Sequence, residues 1–166
     1  MFIGFSVSNY LSFKTAQTIS MAASKVARHK EHILNGNGKK ILKTGLIYGA
    51  NASGKSNLVK AIDFSRDIIL DGLGAVDLNK KYFRISGKCY KTPGVFEYRL
   101  ITHTGKEYSY GIAISYAEKE ILSEWLIRIE KSGTETYIFN RNIDDNGINL
   151  TESEIKIKDA EEKRRW

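Results

Sequence analysis

Residues Gly49-Ala50-Asn51-Ala52-Ser53-Gly54-Lys55-Ser56 place two glycines, a lysine and a serine at the spacing G-x-x-x-x-G-K-S. Each fixed position has a chemical reason. The glycines permit a backbone that other residues resist, so that successive N–H groups curl around phosphate oxygens. Lys55 brings a cation to the β- and γ-phosphates, and Ser56 offers a hydroxyl to Mg²⁺. A helix starting here aims its partial positive end at the same anion. The expected ligand is ATP with Mg²⁺. Gly49, Ala50, Asn51, Ala52, Ser53, Gly54, Lys55, Ser56 and Asn57 form its cradle, with Lys55 as the catalytic cation and Ser56 as the metal ligand.

Such a loop works only between a buried strand and a helix. The apolar run Ile41–Tyr48 reads as the strand feeding it. After it, Leu58, Val59, Ala61, Ile62, Ser65, Ile68 and Ile69 recur at helical spacing, so an amphipathic helix is predicted from Ser56 to about Leu70, stopped by Gly72. Upstream, residues 2–8 read as a strand and Thr18–Met21 as its partner across a turn. Residues 22–35 carry a weak helical pattern, and Asn35-Gly-Asn-Gly-Lys-Lys predicts a break at 35–40.

Downstream, residues 72–94 are basic and irregular and hold the only proline, Pro93, which reads as a connector. From Val95 the pattern changes to consecutive strands with turn signals at Thr104-Gly105-Lys106 and Lys131-Ser132-Gly133. Tyr108, Tyr110, Ile112, Ile114 and Tyr116 share one face; Ile121, Trp125, Ile127 and Ile129 share parity in the next strand, and Tyr137 and Phe139 in the one after. These stripes read as core packing of a half-exposed antiparallel sheet. Thr151 and Glu154 match a capping box, predicting a charged helix at the end of the chain. The expected domains are a nucleotide-binding core at 1–71, a connector at 72–94, a β-subdomain at 95–150 and the start of a helical arm at 151–166.

Composition narrows the function classes. At 166 residues the chain suits one folded domain, and its single cysteine cannot form an intrachain disulfide. Three scattered histidines show no Cys/His spacing for zinc. With neither a signal peptide nor a membrane-length apolar run, a cytoplasmic protein without membrane contact is expected. The net charge of +7 permits a nucleic-acid partner. Its densest clusters are Lys25, Arg28, Lys30, Lys39, Lys40 and Lys43, and Lys80, Lys81, Arg84, Lys88 and Lys91.

The residues inside the loop carry a resemblance. Gly-Ala-Asn-Ala-Ser-Gly-Lys-Ser-Asn is similar to the G-x-N-x-S-G-K-S-N form of ABC-type ATPase heads in the SMC and RecF group. Phe5-Ser-Val-Ser-Asn-Tyr-Leu-Ser-Phe-Lys14 resembles that group's first strand and Asn-aromatic-x-Ser-Phe turn. With Lys106-Glu-Tyr-Ser-Tyr-Gly and Ile121-Leu-Ser-Glu-Trp-Leu, the chain resembles bacterial AAA/ABC-type ATPases of abortive infection and phage defence, of the RloA kind, near the overcoming-lysogenization-defect family.

That resemblance implies an α/β P-loop NTPase, the N-terminal lobe of an ABC-type head with a strand–loop–helix core and an antiparallel β-subdomain. It implies a homodimer or higher oligomer with ATP sandwiched between heads, hydrolysis driving opening, and an effector protein such as a nuclease. It also assigns Asn9 and Ser12 to the nucleotide, although Leu11 stands where many relatives carry a basic residue. A complete head further needs an apolar run ending in Asp-Glu, a signature segment, a switch histidine and a coupling glutamine. None is found: Ile68-Ile69-Leu70-Asp71 falls on the predicted helix, and Gln17 is the sole glutamine. The chain is therefore expected to be one lobe of a longer protein, binding nucleotide but hydrolysing it poorly alone. A GTPase is disfavoured because Asn79-Lys80-Lys81-Tyr82 lacks the aspartate that reads guanine, and a kinase because a sheet stands where a lid is needed. The alternative is a non-hydrolysing, nucleotide-responsive scaffold or DNA-binding module.

Overall fold

A computed structural model describes residues 1–24, 29–144 and 147–152. β1 (Phe2–Ser8) turns most of its length inward, with Phe5 and Val7 each 1% exposed. β2 (Gln17–Ser20) returns antiparallel to it, Phe5 standing opposite Ile19. Between them the chain makes a tight turn in which the Tyr10 and Phe13 backbones exchange two hydrogen bonds, and Asn9 and Leu11 take positive φ.

The segment read as weakly helical folds otherwise. Residues 25–28 lie outside the described residues, Lys30–His32 form one 3₁₀ turn, and β3 (Ile33–Gly36) pairs with β4 (Lys39–Leu42). The break expected at 35–40 is the two-residue tip of this hairpin, where Asn37 and Gly38 have φ of 51° and 75°. Asn-Gly suits this mirror-image turn because both central residues must be left-handed.

α1 (Lys55–Asp71) confirms the amphipathic reading within a residue at either end. It buries Ala61, Phe64, Ser65 and Ile68, whereas Val59, expected on the apolar face, is 58% exposed. Gly72, with φ 85°, ends it by donating its N–H to Ile68. The connector holds two short 3₁₀ segments, Leu73–Ala75 and Gly87–Lys91, and in the second lies Cys89, the free cysteine, which is buried.

β5 (Gly94–Ile101), β6 (Glu107–Ser115), β7 (Glu120–Ile129), β8 (Glu135–Asp144) and β9 (Gly147–Glu152) follow as an antiparallel meander. The seven-stranded sheet has the order β2-β1-β5-β6-β7-β8-β9. The boundary drawn between a core at 1–71 and a β-subdomain at 95–150 is thus crossed by hydrogen bonds, with Phe5 opposite Tyr98 and Val7 opposite Phe96. Thr151 and Glu152, expected to begin a helix, lie in β9 opposite Asn140 and Phe139. The rest of the expected arm, 153–166, is outside the described residues.

α1 packs on one face of this sheet through Phe5, Val7, Tyr10, Phe96, Ile112, Ile114 and Tyr116. The Tyr98 hydroxyl secures the contact, donating to the Ile62 carbonyl at 2.9 Å and sharing a 2.7 Å hydrogen bond with Ser65. β6 is covered on both faces rather than one: Glu107, Ser109, Ala113 and Ser115 are buried behind the apolar stripe. Gly111 lets the Trp125 ring lie directly on the β6 backbone, in the space a Cβ would fill.

The stripe expected in β8 is displaced. Ile138 is buried and Tyr137 is 46% exposed, because the register with β7 shifts between Leu126 and Ile127. One extra residue in a strand exchanges its inward and outward sets. At the far end Glu107 is fully buried and accepts hydrogen bonds from Lys39 and Arg99, each at 2.7 Å, and from Asn37 at 3.0 Å. These bonds fasten the β3–β4 hairpin to the sheet.

Candidate nucleotide site

The glycine-bearing loop occupies the start of α1, as the motif requires, but its feeder is not a buried strand. β4 ends at Leu42, and residues 44–49 run without regular structure. Ile41 is 1% exposed, whereas Leu46 and Tyr48 are 89% and 92% exposed. The expected strand Ile41–Tyr48 is therefore corrected to a strand at 39–42 followed by an exposed apolar segment. No strand pairs with that segment among the described residues, and a strand without a hydrogen-bonded partner has nothing to satisfy its backbone groups.

The loop itself is compact. Gly54 stands at φ 97°, a conformation that favours glycine, and Ala52 adopts φ 65°. Gly54 begins the helix by accepting the N–H groups of Asn57 and Leu58 at 3.0 and 3.1 Å. No side chain caps the helix at Gly54, so its first N–H groups face the loop without a side-chain acceptor. The Lys55 ammonium folds back over the loop, donating to the carbonyls of Gly49 and Ala50 at 2.7 Å each. A Cβ on Gly49 would come within 3.1 Å of Ser53 Oγ, so a larger residue there would have to displace the Ser53 side chain. The start of a helix and the Lys55 ammonium meet at this loop, an arrangement that suits a phosphate group. The residues present fit a triphosphate with Mg²⁺, Ser56 standing one residue past the lysine in the first helical turn.

The turn after β1 reaches this spot through Ser12. Its Oγ accepts a 2.9 Å hydrogen bond from Asn57 Nδ2 and lies 3.3 Å from where a Cβ on Gly54 would sit. Asn9, assigned to the same role, is placed differently. It is 2% exposed, its amide donates to the Cys89 and Thr92 carbonyls at 2.8 and 2.7 Å, and its Oδ1 accepts from the Phe83 N–H at 3.1 Å. With both amide hydrogens used, the Asn9 side chain clamps the connector to β1, whereas Ser12 lies at the loop.

Two clefts flank the loop. One of about 340 Å³ is lined by Phe13, Thr18, Ile47, Tyr48 and Lys55, among others, and one of about 500 Å³ by Ser12, Asn57, Lys60, Phe83 and Arg84. Phe83 and Arg84 were legible only as part of a basic connector. They come beside the first turns of α1 because Asn9 holds Phe83 and because Leu11 donates its N–H to the Lys81 carbonyl at 2.7 Å, contacts no local pattern announces. Behind the loop the Tyr10 hydroxyl donates to the Lys60 carbonyl at 3.2 Å. Burial, with the charge of Asp63, pushes Tyr10 up to about 12, so it stays a neutral donor.

Residues 46–163 match the family described as "AAA domain, putative AbiEii toxin, Type IV TA system". The chain belongs to this family. It is thus an AAA-type P-loop domain, a class that binds nucleotide with Mg²⁺ and is associated with abortive infection. No curated protein matches the chain. Among the described residues of this AAA domain, no helix is long and apolar enough to cross a membrane.

Proposed function

We propose that this AAA domain is the ATP-binding lobe of an ABC-type head whose dimerisation and hydrolysis, in the full protein, control an anti-phage or DNA-associated effector in the cytoplasm. The observation that carries the nucleotide reading is the Lys55 ammonium held over the Gly49 and Ala50 carbonyls at a helix start without a side-chain cap. Ser56 would hold Mg²⁺, which when bound would neutralise charge on the phosphate oxygens. Lys55 would leave its two carbonyls for the phosphates, and the N–H groups of Gly54, Lys55 and Ser56 at the helix start would receive the remaining oxygens. The Ser12–Asn57 bridge supports the ABC-type reading, since it sets the turn after β1 beside the loop. The exposed Leu46, Ile47 and Tyr48 favour a lobe that is covered by further protein in the working assembly.

Titration with a fluorescent ATP analogue in Mg²⁺ tests this. The parent chain is expected to bind and Lys55→Ala to weaken binding at least about tenfold, the equivalent of losing one charge-assisted hydrogen bond. Equal affinity of the two overturns the reading.

A second reading, a nucleotide-responsive DNA-binding module, is favoured by one feature. Lys80, Arg84, Lys88 and Lys91 are exposed on the connector, and no ion pair is seen for them among the described residues. DNA affinity that falls steeply with salt, without turnover of ATP by the full-length protein, would select it.

A further inference from the structure

Two of the three histidines, His29 and His32, come together in space. A 3₁₀ turn eclipses side chains three residues apart. The turn at Lys30–His32, closed by the His32 N–H donating to the His29 carbonyl at 3.0 Å, therefore sets His29 and His32 on one side, with Glu31 between them. Glu31 Oε1 is 3.2 Å from His29 Nδ1 and 3.5 Å from His32 Nε2, and the three ligand atoms all lie within 4.8 Å of one another. Four ligands at the 2.0–2.2 Å bond lengths of zinc stand about 3.3–3.6 Å apart at the corners of a tetrahedron. Both contacts to Glu31 are already near that spacing. Only the two imidazoles need to close, and all three side chains are exposed and can turn.

We propose that His29, Glu31 and His32 form a binding site for a late first-row divalent ion, Zn²⁺ foremost, at the entrance of the β3–β4 hairpin. The donor set selects the ion. Mg²⁺ and Ca²⁺ seek several oxygens and find a single carboxylate here, with Lys30 in the same turn and Lys43 close by, whereas Zn²⁺ finds two imidazoles and one carboxylate. The turn is also held in place. His29 is fixed at φ 58° and ψ 46°, and the His32 carbonyl accepts the Lys43 N–H at 2.9 Å where β4 ends. An ion there would brace the hairpin that precedes the exposed segment leading to the loop.

Zinc titration of the whole chain against a chromophoric chelator, with Mg²⁺ present throughout, tests the site. The parent chain is expected to bind one Zn²⁺, and the His29→Ala/His32→Ala double variant to lose at least about tenfold in affinity. Glu31→Gln is expected to weaken binding in the same direction. His103, the third histidine, lies exposed in the turn between β5 and β6, so His103→Ala is expected to bind as the parent does. Thermal unfolding in chelator, unchanged in the double variant, shows that loss of binding is not loss of fold. Absence of zinc binding by the parent, or less than a tenfold loss in the double variant, overturns the site.

Discussion

The two ends of α1 live in opposite surroundings. From Ala61 to Ile68 the helix is sealed against the sheet, with Phe64 packed on both the Tyr10 and Phe96 rings at centroid distances of 5.0 and 5.6 Å. At its start it faces solvent, and the segment before it exposes Leu46 and Tyr48 almost completely. The buried end supplies rigidity and the exposed end supplies chemistry. A phosphate-binding backbone must keep its N–H groups uncommitted, and a domain tolerates that only where the rest of the helix is already anchored.

This contrast predicts a gradient of stability effects. Phe96→Ala, in the sealed region, is expected to cost about 3–5 kcal/mol, read from the urea midpoint; a cost under about 1 kcal/mol would mean that the helix does not depend on this contact. Gly111→Ala is expected to cost about 1–3 kcal/mol, because its Cβ enters the Trp125 ring. Combining it with Trp125→Ala sharpens the point, since the second substitution should then cost less than it does alone, and strict additivity would speak against the steric cause.

Glu107 adds a pH dependence. Burial pushes its carboxyl up, but hydrogen bonds from Lys39 and Asn37 and the charges of Lys39 and Arg99 outweigh this and hold it below the usual carboxylate range. A depressed native value means that the group stabilises the fold above its unfolded pKa, about 4.3, and that this contribution disappears as pH falls through the native value. Glu107→Gln should reduce the loss of stability between neutral and acid pH, whereas an unchanged pH profile would place the acid sensitivity elsewhere. At the solvent end, Tyr48→Ser is expected to change stability by less than about 0.5 kcal/mol. Lys55→Ala should be as mild in the melting curve while removing nucleotide binding, which separates the two ends of the helix in a single pair of measurements.

The helix and its loop were legible because both are local. G-x-x-x-x-G-K-S is contiguous, and the period of the apolar residues marks a helix without reference to any partner. The hairpins after Val95 were legible for the same reason, through alternation and Gly-bearing turns. Periodicity does not say which strand lies beside which, so the pairing of β1 with β5, Phe5 against Tyr98, could not be read, and the sheet was divided at the connector. Ile41–Tyr48 looked like a buried strand because apolar content cannot distinguish a strand that has partners from one that has none. Ile138 was missed because a bulge shifts parity without leaving a mark in composition. The partners of the Asn9 side chain lie 74 to 83 residues away in sequence, so no local pattern announces its clamp on the connector.

Cys89 gives the connector a built-in reporter. It is the chain's only cysteine, it is 6% exposed, and its carbonyl is one of the three groups gripped by Asn9. A thiol reagent can therefore reach sulfur only when the connector lifts, and the alkylation rate in native buffer becomes a clock for that opening, with no label to engineer and no competing thiol to subtract.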